Sequence, residues 1–198
     1  MYEKDYFIWG TKSNYQDYTK KKYGDLCEEL IKLCWIRKNS KILDFWCALW
    51  NLVMEFVDRW YKNIEWTDIS QYALEFCIQR WLHKEIKPYN TNILSKNHHF
   101  VFMLDVLEHI KEDETRRLLK KTVWKIIFRF PVSNIDDGRY VLDISENDKT
   151  HIIRKTKKWW TELFDECWYN VKVLNGKHIY DSEWVFAGIL LKKPIKWR

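Results

Sequence analysis

Short apolar segments alternate with amphipathic helical segments along most of the chain, and this alternation restricts the fold more than any other feature. Apolar runs predict strands at residues 41–45, 63–69, 85–89, 99–104 and 125–130, and two more alternating segments follow Tyr169. Helical spacing of apolar residues predicts helices at residues 15–34, 49–59, 70–80, 111–121 and 156–167. We therefore expect an α/β fold with a mostly parallel, seven-stranded sheet and an antiparallel C-terminal edge.

The chain length of 198 residues suits one domain, residues 1–198, with a single core. Residues 1–23 carry aromatic side chains such as Tyr6 and Phe7 without a clear period, and we predict an arm or lid there. The core is then expected in residues 24–198. The apolar runs are too short to span a membrane and no signal-peptide pattern opens the chain, so a cytoplasmic protein is expected.

Charge and cysteine content narrow the function classes. The formal net charge of +6 is modest and spread along the chain, so no nucleic-acid partner is expected. The five cysteines form no CxxC pair, which argues against a disulfide framework and a structural zinc site. The adjacent His98 and His99 would point to opposite faces of a strand, so we predict no metal site.

Tryptophan is abundant and glycine is scarce, because the chain has 13 Trp and 5 Gly. Helices commonly end in a left-handed residue, usually glycine. The predicted helices instead end at Trp35, Trp60, Trp81 and Trp168, and Trp124 precedes a strand in the same way. A bulky residue in that conformation costs on the order of 1–2 kcal/mol, so we expect strain at these positions.

A single hypothesis covers these tryptophans. The codon UGA is read as Trp in some genetic codes and as Gly in at least one other. A glycine-reading gene translated with a tryptophan table would therefore show Trp where the protein has Gly. The alternative is that the tryptophans are genuine. Under either interpretation, Trp159, Trp160 and Trp184 fall at ordinary aromatic positions.

Residues 41–50 (KILDFWCALW) read as a strand that ends in an acid and continues into a loop. They resemble the signature D-x-G-C-G/A-x-G of class I S-adenosylmethionine-dependent methyltransferases, with matches at Asp44, Cys47 and Ala48, and with Trp46 and Trp50 at glycine positions. The resemblance implies a doubly wound, Rossmann-like fold and a loop along the methionine and ribose parts of the cofactor, S-adenosylmethionine. Glycines let such a loop turn tightly and approach its ligand. Indoles at positions 46 and 50 are therefore expected to abolish cofactor binding.

The second strand carries another match. Residues 65–70 (EWTDIS) resemble the family segment G-x-D-x-S. The resemblance implies that Asp68 accepts hydrogen bonds from the ribose hydroxyls and that Ile69 lies beside the cofactor. Two simpler roles stay open: Asp68 could only cap the helix that begins at Ser70, and Asp44 could only satisfy loop amides at the end of its strand.

Two later segments extend the resemblance in family order. Residues 105–110 (DVLEHI) resemble a segment of the small-molecule branch, the methyltransferases of type 11/12, and imply that Leu104 and Asp105 lie beside the cofactor. Residues 147–152 (NDKTHI) resemble a D-x-T-H segment found on the substrate side in part of that branch. Together the matches cover residues 36–170.

The resemblance implies methyl transfer to a small-molecule acceptor, such as a sugar, a lipid or a cell-envelope precursor. A sulfonium methyl group is already activated, so the protein must chiefly align the acceptor with it. A base helps when the acceptor is a hydroxyl. His151 is the candidate base and His109 a weaker one, while Tyr15 and Trp160 are predicted on the substrate side.

Other interpretations stay open. Glu108 and His109 could only cap or pack a helix start, and His151 could be a histidine of a surface loop. If Trp46 and Trp50 are genuine, the chain could be a non-catalytic Rossmann-like binding module or scaffold with a filled cofactor space. A nucleic-acid or protein methyltransferase comes third, because the chain has no N-P-P-Y-type tetrapeptide and no room for a recognition domain.

Overall fold

The computed structural model describes residues 2–8, 23–80, 93–94, 97–122 and 125–194. Six strands lie in these ranges: β1 Ile42–Phe45, β2 Ile64–Thr67, β3 Phe100–Leu104, β4 Lys125–Pro131, β5 Tyr169–Val173 and β6 Val185–Lys192. The helices are α1 Lys4–Ile8, α2 Gly24–Cys34, α3 Asn51–Asp58, α4 Gln71–Arg80, α5 Glu112–Lys121, α6 Asp143–Glu146 and α7 Lys157–Glu166. A single 3-10 turn, Leu107–His109, follows β3.

The strands form one sheet with the order β2-β1-β3-β4-β6-β5. The first four in this order are parallel, and β6 is antiparallel to both β4 and β5. The predicted α/β sheet with an antiparallel C-terminal edge is therefore confirmed. The strand count of seven was wrong for the described residues, which hold six. The seventh was expected at residues 85–89, which lie outside the described ranges.

Each face of the sheet buries its own apolar cluster. Along β3, Phe100 and Phe102 pack on one side with Phe56 of α3, while Val101 and Met103 pack on the other side. Successive side chains of a strand point to opposite faces, so a strand buried on both faces must be apolar throughout, as the FVFML run is. The two clusters fix the sheet between the helices and leave its carboxyl edge to the loops.

Side-chain caps begin two of the predicted helices. The Ser70 hydroxyl accepts a hydrogen bond from the Ala73 backbone N–H at 3.0 Å, which confirms Ser70 as the N-cap of α4. The Thr156 hydroxyl accepts one from the Trp159 backbone N–H at 3.2 Å, at the start of α7. The N-terminal part of the predicted helix over residues 15–34 lies outside the described ranges, whereas its C-terminal part is α2.

Tryptophans hold most of the left-handed positions. Eight non-glycine residues of the described ranges have a positive φ, and five of them are tryptophans: Trp35 (55°), Trp46 (64°), Trp50 (71°), Trp60 (65°) and Trp168 (68°). Trp35, Trp60 and Trp168 follow helices and are 84%, 76% and 61% exposed. The backbone at these helix ends is therefore the one that favours glycine. Trp81 and Trp124 lie outside the described ranges.

Among the described residues, no helix combines the length and the apolar character that crossing a bilayer requires.

Candidate functional site

The predicted site residues gather where the parallel strands end. β1, β2 and β3 run in the same direction, so their carboxyl ends meet at one edge of the sheet. The loops that leave this edge hold residues 46–50, 68–70 and 105–110. Open α/β sheets bind ligands in the crevice outside this edge, which makes these loops the candidate site.

The loop after β1 is a tight turn in which every second residue is left-handed. Trp46, Ala48 and Trp50 have φ values of 64°, 51° and 71°. The intervening Cys47 donates its backbone N–H to the Thr67 carbonyl at 3.0 Å, which fixes the loop to the end of β2. Three left-handed residues within five positions are the geometry that the sequence resemblance assigned to glycines, with Ala48 as the smallest alternative.

Asp68 connects this loop to the start of α4. Its Oδ2 accepts a hydrogen bond from the Ala48 backbone N–H at 2.8 Å, and its Oδ1 accepts one from the Ser70 backbone N–H at 2.7 Å. Burial raises the pKa of Asp68 to about 6, against the lowering effect of these N–H donors. Asp68 thus holds Ser70, the residue that caps α4, and it also braces the loop that the family resemblance places along the cofactor.

Asp44 lies at the end of β1 and is 5% exposed. Burial, and then the neighbouring carboxylate of Asp68, raise the pKa of Asp44 to about 7. Two acids with raised pKa values therefore lie at the sheet edge, a combination that is concentrated at functional sites.

Two small cavities flank the indole of Trp46. One, of about 40 Å³, is lined in part by Asp44 and Cys47. The other, of about 50 Å³, is lined in part by Asp68 and Ile69. Both cavities are bordered by Trp46, Ala48, Leu104 and Asp105. Pockets that bind small molecules and cofactors have volumes of roughly 300–1,000 Å³. Neither cavity is therefore large enough for an adenosyl cofactor in the chain as written.

The Trp46 side chain is half-buried among aromatic rings. Its ring centroid lies 5.8 Å from Tyr2, 6.3 Å from Phe45 and 6.4 Å from His109. Trp46 therefore borders both cavities with its side chain packed among aromatic rings, at a position where the sequence resemblance expects a glycine.

The N-terminal arm packs over the same edge. Tyr6 and Phe7 of α1 are buried against Leu49 and Ala73, and both line the cavity of about 50 Å³ beside Asp68. The Ser70 hydroxyl donates a hydrogen bond to the Tyr2 carbonyl, which fixes the start of the arm. Tyr15, predicted on the substrate side, lies outside the described ranges.

Asp105 forms an ion pair that the sequence did not reveal. Asp105 is left-handed, with φ 56°, and its carboxylate accepts hydrogen bonds from Nε and a terminal nitrogen of Arg129 on β4. The second terminal nitrogen of Arg129 donates to the His178 carbonyl at 3.1 Å. Arg129 also lines the cavity beside Asp44. The sequence offered one sign of this ion pair: Arg129 is a charged residue within the apolar strand pattern KIIFRF.

The two candidate histidines are neighbours, although 42 positions separate them in the sequence. The ring centroids of His109 and His151 are 4.6 Å apart. Burial, and then the neighbouring His151, lower the pKa of His109 to about 4, and burial lowers the pKa of His151 as well. Both imidazoles are therefore neutral at physiological pH. Beside them lies Glu108, which is 0% exposed and whose pKa is raised well above its ordinary value by burial.

A larger groove opens outside these rings. It has a volume of about 730 Å³ and is lined by Tyr2, Trp46, His109 and Thr150, among others. The segment predicted on the substrate side, residues 147–152, therefore contributes to a space large enough for a small molecule.

Two predicted site residues lie in the core instead. Trp50 is 2% exposed and its ring centroid is 5.3 Å from that of Trp66. Trp160 is 0% exposed and packs on Phe130 at 4.6 Å. Neither side chain lines the two small cavities or the groove.

Comparison with solved structures identifies the fold. An S-adenosylmethionine-dependent methyltransferase from Clostridium acetobutylicum matches with a TM-score of 0.65 and 13% identity, over 89% of this chain and 94% of that chain. The magnesium protoporphyrin IX methyltransferase of Synechocystis with bound S-adenosylhomocysteine matches with a TM-score of 0.60 and 12% identity, over 86% of this chain and 84% of that chain. A protein described as a pericyclic reaction enzyme matches with a TM-score of 0.58 and 14% identity, over 85% of this chain and 47% of that chain.

The chain thus has the fold of the class I S-adenosylmethionine-dependent methyltransferases, as the resemblance of its sequence segments implied. No family model matches it, and no curated protein matches it by sequence. A shared fold does not fix the reaction, so the activity must be argued from the site.

Proposed function

We propose that this protein, with glycine at the left-handed tryptophan positions, binds S-adenosylmethionine and transfers its methyl group to a small-molecule acceptor. The observation that carries the proposal is the loop after β1, where left-handed residues at positions 46, 48 and 50 turn the backbone at the carboxyl edge of the sheet. Several matching structures are described as methyltransferases, and some as complexes with S-adenosylhomocysteine or S-adenosylmethionine, which supports this cofactor.

The predicted cofactor residues other than Trp46 and Trp50 each have a role in the proposal. The loop of Cys47 and Ala48 would lie along the methionine and ribose parts, with Asp44 behind it at the end of β1. Asp68 would accept hydrogen bonds from the ribose hydroxyls as a carboxylate. Because its pKa is raised to about 6, the carboxylate form predominates only above about pH 6. Ile69, Leu104 and Asp105 would border the remaining part of the cofactor, because they line the cavities beside this loop.

His151 is the proposed general base. Its Nδ1 lies 2.8 Å from the Ser145 carbonyl, so Nδ1 carries the proton and Nε2 keeps a lone pair that can accept one. Burial keeps this ring neutral, as a base must be before the reaction. The acceptor would lie in the groove beside His109 and Thr150, with its oxygen in line with the sulfonium methyl group.

The proposal is tested by calorimetric titration of S-adenosylhomocysteine into two chains. One is the chain as written, and the other has glycine at positions 35, 46, 50, 60 and 168, the left-handed tryptophans. Micromolar binding to the glycine chain alone supports the proposal, and methyl transfer to candidate acceptors can then be screened. Absence of binding to both folded chains contradicts it.

Peptide mass spectrometry of the native protein tests the genetic-code hypothesis directly. Glycine masses at positions 35, 60, 81 and 168 would support it, whereas tryptophan at these positions would overturn it.

His151→Ala in the glycine chain is expected to lower turnover about 100-fold while leaving the affinity for S-adenosylhomocysteine within about twofold, because the ring acts on the acceptor and not on the cofactor. Steady-state turnover and calorimetry measure the two effects. Unchanged turnover would remove His151 from the mechanism.

The second candidate is a non-catalytic Rossmann-like binding module. The observation that favours it is Trp46, which borders both small cavities at a position where the resemblance expects a glycine. If the native protein has tryptophan at positions 46 and 50, this second function is the one that the filled site supports.

A further inference from the structure

Three potential metal ligands converge beside the acceptor groove. Glu108 and His109 belong to the 3-10 turn after β3, and His151 belongs to the loop before α7. The Glu108 Oε1 lies 3.9 Å from the Nε2 of His109 and 4.0 Å from the Nε2 of His151. The three ligand atoms all lie within 4.8 Å of one another.

Glu108 is buried without an adequate hydrogen-bond partner. The residue is 0% exposed, and the side chains of His109 and His151 are 5% and 9% exposed. Apart from a contact with its own backbone N–H, neither carboxylate oxygen has a hydrogen-bond partner among the described residues. Burial of a carboxyl group without hydrogen-bond partners is unfavourable, so we expect either a cation or a proton at this point.

The hydrogen bonds of the two rings leave both Nε2 lone pairs facing Glu108. The Nδ1 of His109 lies 3.1 Å from the Thr150 carbonyl and 2.9 Å from the Thr150 hydroxyl, whose own proton goes to the Asp148 Oδ1 at 2.6 Å. The Nδ1 of His151 lies 2.8 Å from the Ser145 carbonyl. Because carbonyl oxygens only accept, each Nδ1 carries the proton. Metal-binding histidines commonly donate from their second nitrogen in this way.

We propose that Glu108, His109 and His151 bind a divalent first-row transition-metal ion. Two imidazole nitrogens and one carboxylate oxygen suit Zn²⁺ or Fe²⁺, whereas Mg²⁺ and Ca²⁺ prefer oxygen ligands alone. Metal–ligand bonds of about 2.1 Å place tetrahedral ligand atoms roughly 3.4 Å apart. The two measured distances of 3.9 and 4.0 Å therefore need to shorten by roughly 0.5 Å, which side-chain rotation can supply.

The surroundings also define the rest of the coordination sphere. The Asp148 Oδ2 lies 3.8 Å from the His151 Nε2, so its carboxylate adds to the attraction for a cation at this point. His109 lines the groove, so a remaining coordination position would face the acceptor and could bind its oxygen. That role at the acceptor rests on the proposed methyl transfer, and it would replace His151 as the base, because an Nε2 that coordinates a metal has no lone pair left to accept a proton. Metal binding itself does not depend on the proposed function.

The test uses Co²⁺ as a spectroscopic probe of the chain as written, after treatment with EDTA and desalting. We expect one equivalent of Co²⁺ to bind, with visible d–d bands that Zn²⁺ abolishes and Mg²⁺ does not. Glu108→Gln keeps the size of the side chain and removes the anionic ligand, and it is expected to weaken Co²⁺ binding about 100-fold. Elemental analysis of the protein as purified gives the identity of any metal it carries.

His178→Gln is the matched control. The His178 side chain is 34% exposed and lies 3.7 Å from the Asp25 carboxylate, away from the cluster. The variant should therefore bind Co²⁺ like the unmodified chain. If Glu108→Gln does not fold by circular dichroism, His151→Gln replaces it, because that side chain is the most exposed of the three, at 9%.

Two outcomes overturn the inference. One is a folded chain that develops no d–d bands, which would leave Glu108 as a buried acid that keeps its proton. The other is Co²⁺ binding that survives in the folded cluster variant or is lost in His178→Gln. Titration of S-adenosylhomocysteine into the glycine chain is scored separately, so failure of the metal site and failure of the cofactor site give different results.

Discussion

Trp60 and Trp46 have nearly the same positive φ in very different surroundings. Their φ values are 65° and 64°. Trp60 follows α3 and is 76% exposed, whereas the indole of Trp46 is enclosed by Tyr2, Phe45 and His109 at the carboxyl edge of the sheet. A left-handed tryptophan at the helix end is therefore expected to affect stability alone. In the loop, its side chain also takes up space that a ligand would need. Substitutions at the two positions should separate these effects.

The largest expected effect comes from Trp46→Gly. Removing the indole joins the two small cavities and relieves the left-handed backbone, so the dissociation constant of S-adenosylhomocysteine should fall from above about 1 mM to about 10 µM, a change of roughly 100-fold. Isothermal titration calorimetry measures it.

Trp46→Ala and Trp60→Gly are the controls for that comparison. Alanine also opens the space but keeps the Cβ at positive φ, so Trp46→Ala should bind more weakly than Trp46→Gly. Trp60→Gly relieves a backbone without touching the cavities and should not improve binding. Equal gains from Trp46→Gly and Trp60→Gly would show that general stabilisation, and not the indole, controls affinity.

The next effect is the pH dependence of the free energy of unfolding, which Asp44 and Asp68 beside the loop should produce. The pKa of Asp44 is raised to about 7 and that of Asp68 to about 6, so folding favours their protonated forms. The resulting stabilisation is complete below about pH 4, where both groups are protonated even in the unfolded chain, and it is lost as the pH rises through 6 and 7. The free energy of unfolding should therefore fall by about 7 kcal/mol between pH 4 and pH 7, at roughly 1.4 kcal/mol for each unit by which the two pKa values are raised.

Asp44→Asn should flatten that fall, because the amide does not titrate. Urea unfolding at several pH values between 4 and 8 measures the slope. The same slope in Asp44→Asn and in the unmodified chain would contradict the raised pKa of Asp44.

The smallest effect is expected at the helix end. Trp60→Gly removes a left-handed cost of about 1–2 kcal/mol and adds back about 0.5–1 kcal/mol of glycine entropy, for a net gain of about 0.5–1 kcal/mol. This gain corresponds to a rise in Tm of about 1–4 °C for a chain of this size. Differential scanning calorimetry measures it, and Trp60→Ala, which keeps the Cβ, should give no comparable rise.

The sequence was sufficient where local patterns determine structure. The apolar run before Asp44 and the serine before α4 predicted a strand and a helix start within two residues of those observed. The excess of tryptophan at predicted helix ends also identified left-handed positions, because cap geometry depends on neighbouring residues alone. These features need no knowledge of distant contacts.

Contacts between distant segments were less accessible. The sequence suggested His109 and His151 separately, but it could not show that both rings face Glu108. The ion pair between Asp105 and Arg129 likewise depends on the pairing of β3 with β4. Trp160 was expected near the substrate from its place in the chain, yet α7 turns it into the core, where helical spacing alone could not distinguish the two faces.

The loop after β1 also has a consequence for how this chain can change over generations. Positions 46, 48 and 50 need residues that accept a left-handed backbone, while Cys47 and Leu49 between them are 7% and 2% exposed and have little room to grow. Few substitutions in this segment are therefore neutral. At positions 46, 48 and 50 the left-handed backbone disfavours a large side chain, and at positions 47 and 49 the packed neighbours do. Selection on such a gene would remove glycine-to-tryptophan mutations here first, long before it acted on the exposed helix ends.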